Sequence, residues 1–297
     1  MDTISIKKVS KHYGNFTAVD AVDFNVSQGI IFGLLGPNGA GKTSLIRIIN
    51  SITMADEGEI LFRGERLGRE HQSHIGYLPE ERGLYKKMKV QEQLEYLGQL
   101  KGLDVATARE RIARWYDILQ MEGWGNKKVQ DLSKGMQQKV QFVATVIHEP
   151  SLLILDEPFS GLDPVNTNLL KTEIKRLSEE GTTVLFSTHR MEQVEEMCER
   201  IALINRGKLV LQGPIDQIKQ QYKDFLFEFK FEPGFTPELS EEMVHARRRD
   251  GVVLHFESLQ DANAQMEQWM HEGILIQEFR EILPSINEIF IKIVTNN

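Results

Sequence analysis

Residues 36–43 read Gly36-Pro37-Asn38-Gly39-Ala40-Gly41-Lys42-Thr43. This is a G-x-x-x-x-G-K-[ST] run, the spacing of a phosphate-binding P-loop. Its glycines let the backbone wrap closely around a polyphosphate, in conformations that a Cβ forbids. Backbone N–H groups then point inward, and the N-terminus of the following helix, from Ser44 on, adds partial positive charge. Lys42 supplies a full charge for β- and γ-phosphates, and Thr43 a hydroxyl for Mg²⁺. Two carboxylates, Asp156 and Glu157, close the apolar run Ser151-Leu152-Leu153-Ile154-Leu155. The first is placed to hold a divalent cation and the second to polarise an attacking water. His189 follows the apolar run 183–188 in the same way. A lone strand-end Asp or His is most often just a solvated polar residue. The ordered set, with its adjacent carboxylates, points to polyphosphate chemistry.

The elements around these residues have the needed pattern. Ile30-Ile31-Phe32-Gly33-Leu34-Leu35 reads as a buried strand and Ser44 to Ile49 as a helix, the context a P-loop requires. Residues 3–9 and 21–26 alternate as half-exposed strands, with Lys11 to Ala18 between them read as a turn carrying Tyr13 and Phe16. Residues 56–64 read as turn, strand, turn, and Ile75 to Leu78 as a short strand stopped by Pro79. No strand signal interrupts residues 86–127. Leu94, Leu97 and Leu100 recur at helical spacing, and Ile112, Trp115, Ile118 and Leu119 share a face. A further helix is expected over Gln137 to His148, so a helical insertion spans about 86–149. The continuously apolar runs at 151–155 and 183–188 are buried parallel strands. Helices are expected at 164–180 and 191–198, and a strand at 201–205. The fold class is therefore α/β: a mixed sheet with an antiparallel subdomain and a helical insertion.

Beyond Gly213-Pro214 the pattern changes. Phe225, Phe227, Phe229 and Phe231 alternate with polar residues, strands are expected at 251–256 and 274–279, and a helix at 259–270. A last helix begins at Ser285, whose spacing to Glu288 makes a capping box. Residues 221–297 hold 7 Lys and Arg against 14 Asp and Glu, while the first 220 hold 28 against 29. That step predicts a division into 1–220 and a small α+β domain, 221–297.

The formal charge of −8 over 297 residues argues against nucleic acid as main partner. One cysteine, Cys198, leaves no internal disulfide, as in a reducing cytoplasm. No apolar run approaches the ~20 residues that cross a bilayer, and Met1-Asp2-Thr3 does not open a signal peptide. The chain is expected to be soluble by itself and to reach a membrane only through a partner.

Over residues 3–215 the sequence resembles the ATP-binding cassette (ABC) transporter ATPases. Besides the P-loop, the resemblance rests on Leu132-Ser133-Lys134-Gly135-Met136-Gln137-Gln138, similar to the LSGGQ signature. It also rests on Leu153 to Pro158, on the D-loop Ser160-Gly161-Leu162-Asp163 and on the switch His189. Tyr13, with Ala18 five residues on, matches the loop whose ring stacks on adenine. The resemblance implies ATP and Mg²⁺ as cofactors and a head-to-tail dimer of two copies. Each ATP would lie between residues 36–44 of one copy and Ser133 and Gly135 of the other. Lys42, Glu157 and His189 would be catalytic, and Thr43, Glu80 and Asp156 would surround the metal. The variant residues and the C-terminal appendage look like the bacterial ABC-2-type exporter branch, similar to the sodium-extrusion subunits. That implies a membrane permease as partner and a place on the cytoplasmic face of the membrane.

Two departures stand out. Glu80 occupies the usual glutamine position of the Q-loop, within Tyr77-Leu78-Pro79-Glu80-Glu81-Arg82. Lys134 and Met136 replace a glycine and a glutamine of the signature. The alternative, a soluble ABC ATPase acting on ribosomes or nucleic acid, fits less well: the chain has one cassette, no sustained heptads and no basic tract. A kinase or GTPase reading lacks N-K-x-D and does not account for residues 132–138.

Overall fold

A computed structural model describes residues 1–235 and 237–295. The chain forms two compact units, Met1–Pro214 and Ile215–Asn297. The first opens with β1 (Asp2–Tyr13) and β2 (Phe16–Ser27), each 12 residues long. They pair antiparallel down to Tyr13 opposite Phe16. The expected turn over Lys11 to Ala18 is thus only Gly14-Asn15, because both strands continue to the hairpin tip. There follow β3 (Ile31–Leu35), α1 (Lys42–Ile49), β4 (Glu57–Phe62), β5 (Glu65–Arg66) and β6 (Ile75–Leu78). Strand β4 joins β1 and carries β5, closing a four-stranded antiparallel sheet in the order β2-β1-β4-β5.

The helical segment is α2 (Val90–Leu100), α3 (Val105–Ile118) and α4 (Lys134–Val146). Helix α3 is capped by Asp104, whose side chain accepts from the Thr107 N–H. It buries Ala108, Ile112 and Trp115, and Trp115 meets Phe142 of α4 edge to face at 5.7 Å. Helix α4 starts before the expected Gln137, because Ser133 caps it by accepting from the Met136 N–H. The apolar spacing at 94, 97 and 100 is only partly a core stripe: Leu94 is buried and Leu100 exposed.

The chain then returns to the core through β7 (Leu152–Asp156), α5 (Pro164–Glu179), β8 (Thr183–Ser187), α6 (Met191–Met197), β9 (Arg200–Asn205) and β10 (Lys208–Pro214). The central sheet has the order β10-β9-β3-β8-β7-β6. Its strands run parallel except β10, which pairs antiparallel with β9. Every residue of β3, β7 and β8 is buried, which is why these runs are apolar throughout rather than alternating. Because the strands are parallel, the ends of β3, β6, β7 and β8 all point to one edge, where open α/β sheets bind ligands.

The second unit starts with α7 (Ile215–Gln221), so the division falls between Pro214 and Ile215 and the charge step near 220 marks the end of this helix. Then come β11 (Leu226–Phe231), β12 (Val244–Arg248), β13 (Gly251–His255), α8 (Leu259–His271), β14 (Ile276–Ile282) and α9 (Ile286–Thr295). Four strands form an antiparallel sheet, β12-β13-β11-β14, one more than the sequence pattern predicts. The unpredicted β12 is the run Val244-His245-Ala246-Arg247-Arg248, whose apolar alternation is only two residues long, Val244 and Ala246, before two arginines end it. Phe227 and Phe229 are fully buried among Phe256, Phe279 and Trp269. The Ser285 capping box is present: its N–H donates to Glu288 Oε2 at 2.7 Å, and its hydroxyl accepts from the Glu288 N–H at 3.2 Å.

Candidate phosphate-binding and hydrolytic site

A cavity of about 430 Å³ lies at that sheet edge in the first unit. It is lined by Phe16, Ala18, residues 38–44, Glu80, Asp156, Glu157 and His189. Two glycines are dictated by their surroundings. Gly36 has φ 150°, and a Cβ there would lie 2.2 Å from the Ile204 carbonyl oxygen. Gly41, with φ 108°, caps α1, and its Cβ would lie 2.1 Å from the Ala18 oxygen. The loop is thus pressed against β9 and β2, and only glycine allows the approach. Lys42 Nζ donates to the carbonyls of Gly36 at 2.7 Å and Pro37 at 3.1 Å. Burial lowers its pKa, while Asp156, Glu157 and Glu80 oppose the loss of its proton.

Asp156 ends β7 and is buried. Burial raises its pKa, and the charges of Glu80 and Glu157 raise it further, with Lys42 opposing. Three carboxylates around one ammonium form an electrostatically unbalanced cluster that a cation relieves. Glu157 turns the chain off β7 with φ 50°, a left-handed conformation uncommon for residues with a Cβ. Its N–H donates to the Ser187 carbonyl at 2.9 Å. Its carboxylate is fixed from the end of β8: the His189 N–H donates to Oε1 at 2.7 Å, His189 Nδ1 lies 2.6 Å from the same oxygen, and the Thr188 hydroxyl donates to Oε2 at 3.2 Å. Parallel pairing of β7 with β8, Asp156 opposite Ser187, sets this meeting.

The structure therefore brings Asn38, Gly39, Ala40, Gly41, Lys42, Thr43, Ser44, Glu80, Asp156, Glu157 and His189 to one cavity. It does not bring Ser133 and Gly135 there. They start α4 elsewhere, where a Cβ on Gly135 would lie 3.3 Å from the Gly161 carbonyl oxygen. Tyr13 stands half exposed at the hairpin tip, with Lys11 Nζ 5.6 Å from its ring, and does not line the cavity. Phe16, its strand partner, does. Sequence reasoning noted Phe16 only as part of a turn and missed Thr188. Phe16 is hard to find from sequence, because Asp20 and the positive-φ Ala21 break the alternation of residues 22–26 before it reaches the hairpin tip. For Thr188, a hydroxyl beside a strand-end His is too common to stand out.

Among the described residues, no group of three or more His, Cys, Asp or Glu side chains converges as a metal cage. An Mg²⁺ held by one or two carboxylates together with substrate phosphates needs none. The donor set of Thr43, Asp156 and Glu80 beside a polyphosphate cradle suits such an ion.

A parallel sheet with a P-loop after its β3 strand and carboxylates at the next strand ends defines a P-loop nucleoside-triphosphatase fold. Comparison with known proteins narrows the class. Residues 19–160 match the ABC transporter family, and residues 213–294 match the C-terminal domain of DrrA1-3-like ATP-binding proteins. The ABC transporter ATP-binding protein YhaQ of Bacillus subtilis (strain 168) is 41% identical over 97% of this chain and 97% of its own. The linearmycin resistance ATP-binding protein LnrL of the same organism is 35% identical over 71% of this chain and 68% of its own. A solved ATP-binding subunit of an ABC transporter superposes with a TM-score of 0.70 at 30% identity, covering 74% of this chain and 93% of that one. The chain belongs to the ABC transporter family, among its ATP-binding proteins with a DrrA-like C-terminal domain.

Proposed function

We propose that the chain is the ATP-hydrolysing subunit of an exporter and works on the cytoplasmic face of the membrane with an ABC-2-type permease and a second copy of itself. One observation carries the reading. Residues 38–44, Glu80, Asp156, Glu157 and His189 line a single cavity, whereas Gly36 and Pro37 at the start of the P-loop and Ser133 and Gly135 of the signature do not. A site with one half missing is completed by a second copy in head-to-tail arrangement. A bacterial ABC transporter cassette described as dimeric, 25% identical with a TM-score of 0.65 over 71% of this chain and 98% of its own, supports this. Relatives named for linearmycin resistance and for Nod factor export, the latter of Ralstonia nicotianae at 35% identity, support an outward direction. Among the described residues no helix is long and apolar enough to cross a membrane, so the path for a solute belongs to a partner.

In this reading the P-loop amides and Lys42 hold the β- and γ-phosphates. Lys42 exchanges the Gly36 and Pro37 carbonyls for phosphate oxygens. A ring at the hairpin tip, Tyr13 or Phe16, stacks on adenine. Thr43, Asp156 and Glu80 hold Mg²⁺, which neutralises phosphate charge when bound. Glu157, oriented by His189 and Thr188, accepts a proton from water. The water oxygen attacks the γ-phosphorus as the bond to the β-phosphate oxygen breaks, giving ADP and phosphate. A nucleotide held between two copies makes their association depend on intact ATP, so hydrolysis releases them and drives a permease between two states. Purifying the tagged chain from membranes tests the reading: a multi-span permease should copurify. Recovery with ribosomes or nucleic acid, and no permease, would contradict it.

A further inference from the structure

Arg82 lies outside the cavity, in the segment that carries Glu80. Its Nη2 donates to the Ser160 carbonyl at 3.4 Å, across to the D-loop that follows Glu157. Gly161 sits beside it with φ +78°, and a Cβ there would lie 3.0 Å from Nη2. Helix α4 fastens both segments. Gln138 Nε2 donates to the Pro158 carbonyl at 2.8 Å, and Gln141 Nε2 to those of Pro79 at 3.0 Å and Glu81 at 3.4 Å. The loop bearing Glu80 and the loop following Glu157 are thus each bound to one helix, and Arg82 binds them to each other. A guanidinium suits this, since its planar fork presents donors in several fixed directions. One of those donors, Nε, is buried without a hydrogen-bond partner.

We propose that Arg82 is a positioning residue that ties the Glu80 loop to the loop following Glu157, so that these two carboxylates keep one spacing when α4 and the helical segment move. This rests on the ATP-hydrolysis reading above. It adds a joint within one chain, distinct from the contact between copies. Removing the tie leaves the P-loop intact, so nucleotide binding is kept while the alignment of the reacting groups is lost.

The test has two arms, on full-length wild type, Arg82→Ala and Arg82→Lys. The first is hydrogen–deuterium exchange without nucleotide. The amides of Ser160 and Leu162, bonded to the Glu157 carbonyl at 3.1 Å and the Phe159 carbonyl at 3.3 Å, should exchange faster in Arg82→Ala, with Arg82→Lys between it and wild type. The second is enzymology: kcat should fall about 10- to 100-fold, as misplaced reacting groups do, with Mg²⁺-free ATP affinity kept within about twofold. Should Arg82→Ala prove unstable, Arg82→Gln, shorter and uncharged, carries the same expectations. Unchanged exchange at 157–162 would show that no tie exists. Faster exchange with kcat at the wild-type level would reduce it to local packing, and a matching loss of ATP affinity would place its effect in binding; either overturns the proposal. A wild-type chain that binds but never hydrolyses ATP would contradict the parent reading instead, whatever the exchange data show.

Discussion

At the scale of single residues, the site divides into groups that bind and groups that act. In the proposed mechanism Glu157 is the acting group: its half-buried carboxylate at the strand end accepts from the His189 N–H and the Thr188 hydroxyl, with His189 Nδ1 2.6 Å away. Glu157→Gln keeps the shape but cannot take a proton, so turnover should fall by about 10²–10⁴-fold with ATP affinity kept. A steady-state phosphate-release assay checks this, and near-wild-type turnover would remove Glu157 as the base. Glu80 stands where relatives of the chain are expected to carry glutamine. Its charge is felt by both Asp156 and Lys42. A carboxylate facing a γ-phosphate is repelled unless a cation lies between them. Glu80→Gln should therefore flatten the dependence of hydrolysis on free Mg²⁺ at saturating ATP. Superimposable curves for the two proteins would take Glu80 out of the metal shell. These residues were legible in the sequence because each sits at a fixed place: in the P-loop run, or at the end of an apolar strand. Arg82 and Thr188 were not legible, because their partners lie 78 and 31 residues away and only the folded sheet edge brings them together.

At the scale of elements, the long buried runs were readable, as were the edge strands β6 and β14, but the edge strands β10 and β12 were not. Strands β3, β7 and β8 declare themselves by unbroken apolar sequence, whereas β10 and β12 pair at sheet edges and carry polar residues. The return of α4 onto β6 has a measurable consequence at His148. That side chain is buried, its Nε2 lies 3.3 Å from the Ile75 carbonyl, and its Nδ1 has no hydrogen-bond partner. Burial lowers its pKa to about 4, with Lys101, Arg111 and His74 also disfavouring a second proton. The unfolded chain takes up that proton near pH 6.5 and the native chain near pH 4. Stability is therefore fully present above about pH 6.5 and is lost as pH falls towards 4, by roughly 3 kcal/mol for this group. Urea midpoints measured from pH 7.5 to 4.5 should fall more steeply for wild type than for His148→Gln. Parallel curves would mean that His148 is not held neutral by the fold.

At the scale of the whole molecule, the chain is two units of different kinds. The first holds every residue of the proposed site, and the second has its own aromatic core and capped helices. A chain ending at Pro214 should remain folded and bind ATP with wild-type affinity, by fluorescence titration. An insoluble or non-binding product would place residues 215–297 in the cassette's own core. The sequence showed this division through composition, but placed it after α7 rather than before it, since a short helix of mixed polarity leaves the charge balance unchanged. The signature residues make the larger point. Ser133 and Gly135 match a nucleotide-binding motif yet lie outside the cavity of their own chain, so the account requires two copies around the nucleotide. The mass of the Glu157→Gln variant by light scattering, with and without saturating Mg²⁺-ATP, tests this most directly. The account predicts a monomer without nucleotide and a stable dimer with it. A monomer in both conditions, with ATP bound, would contradict it.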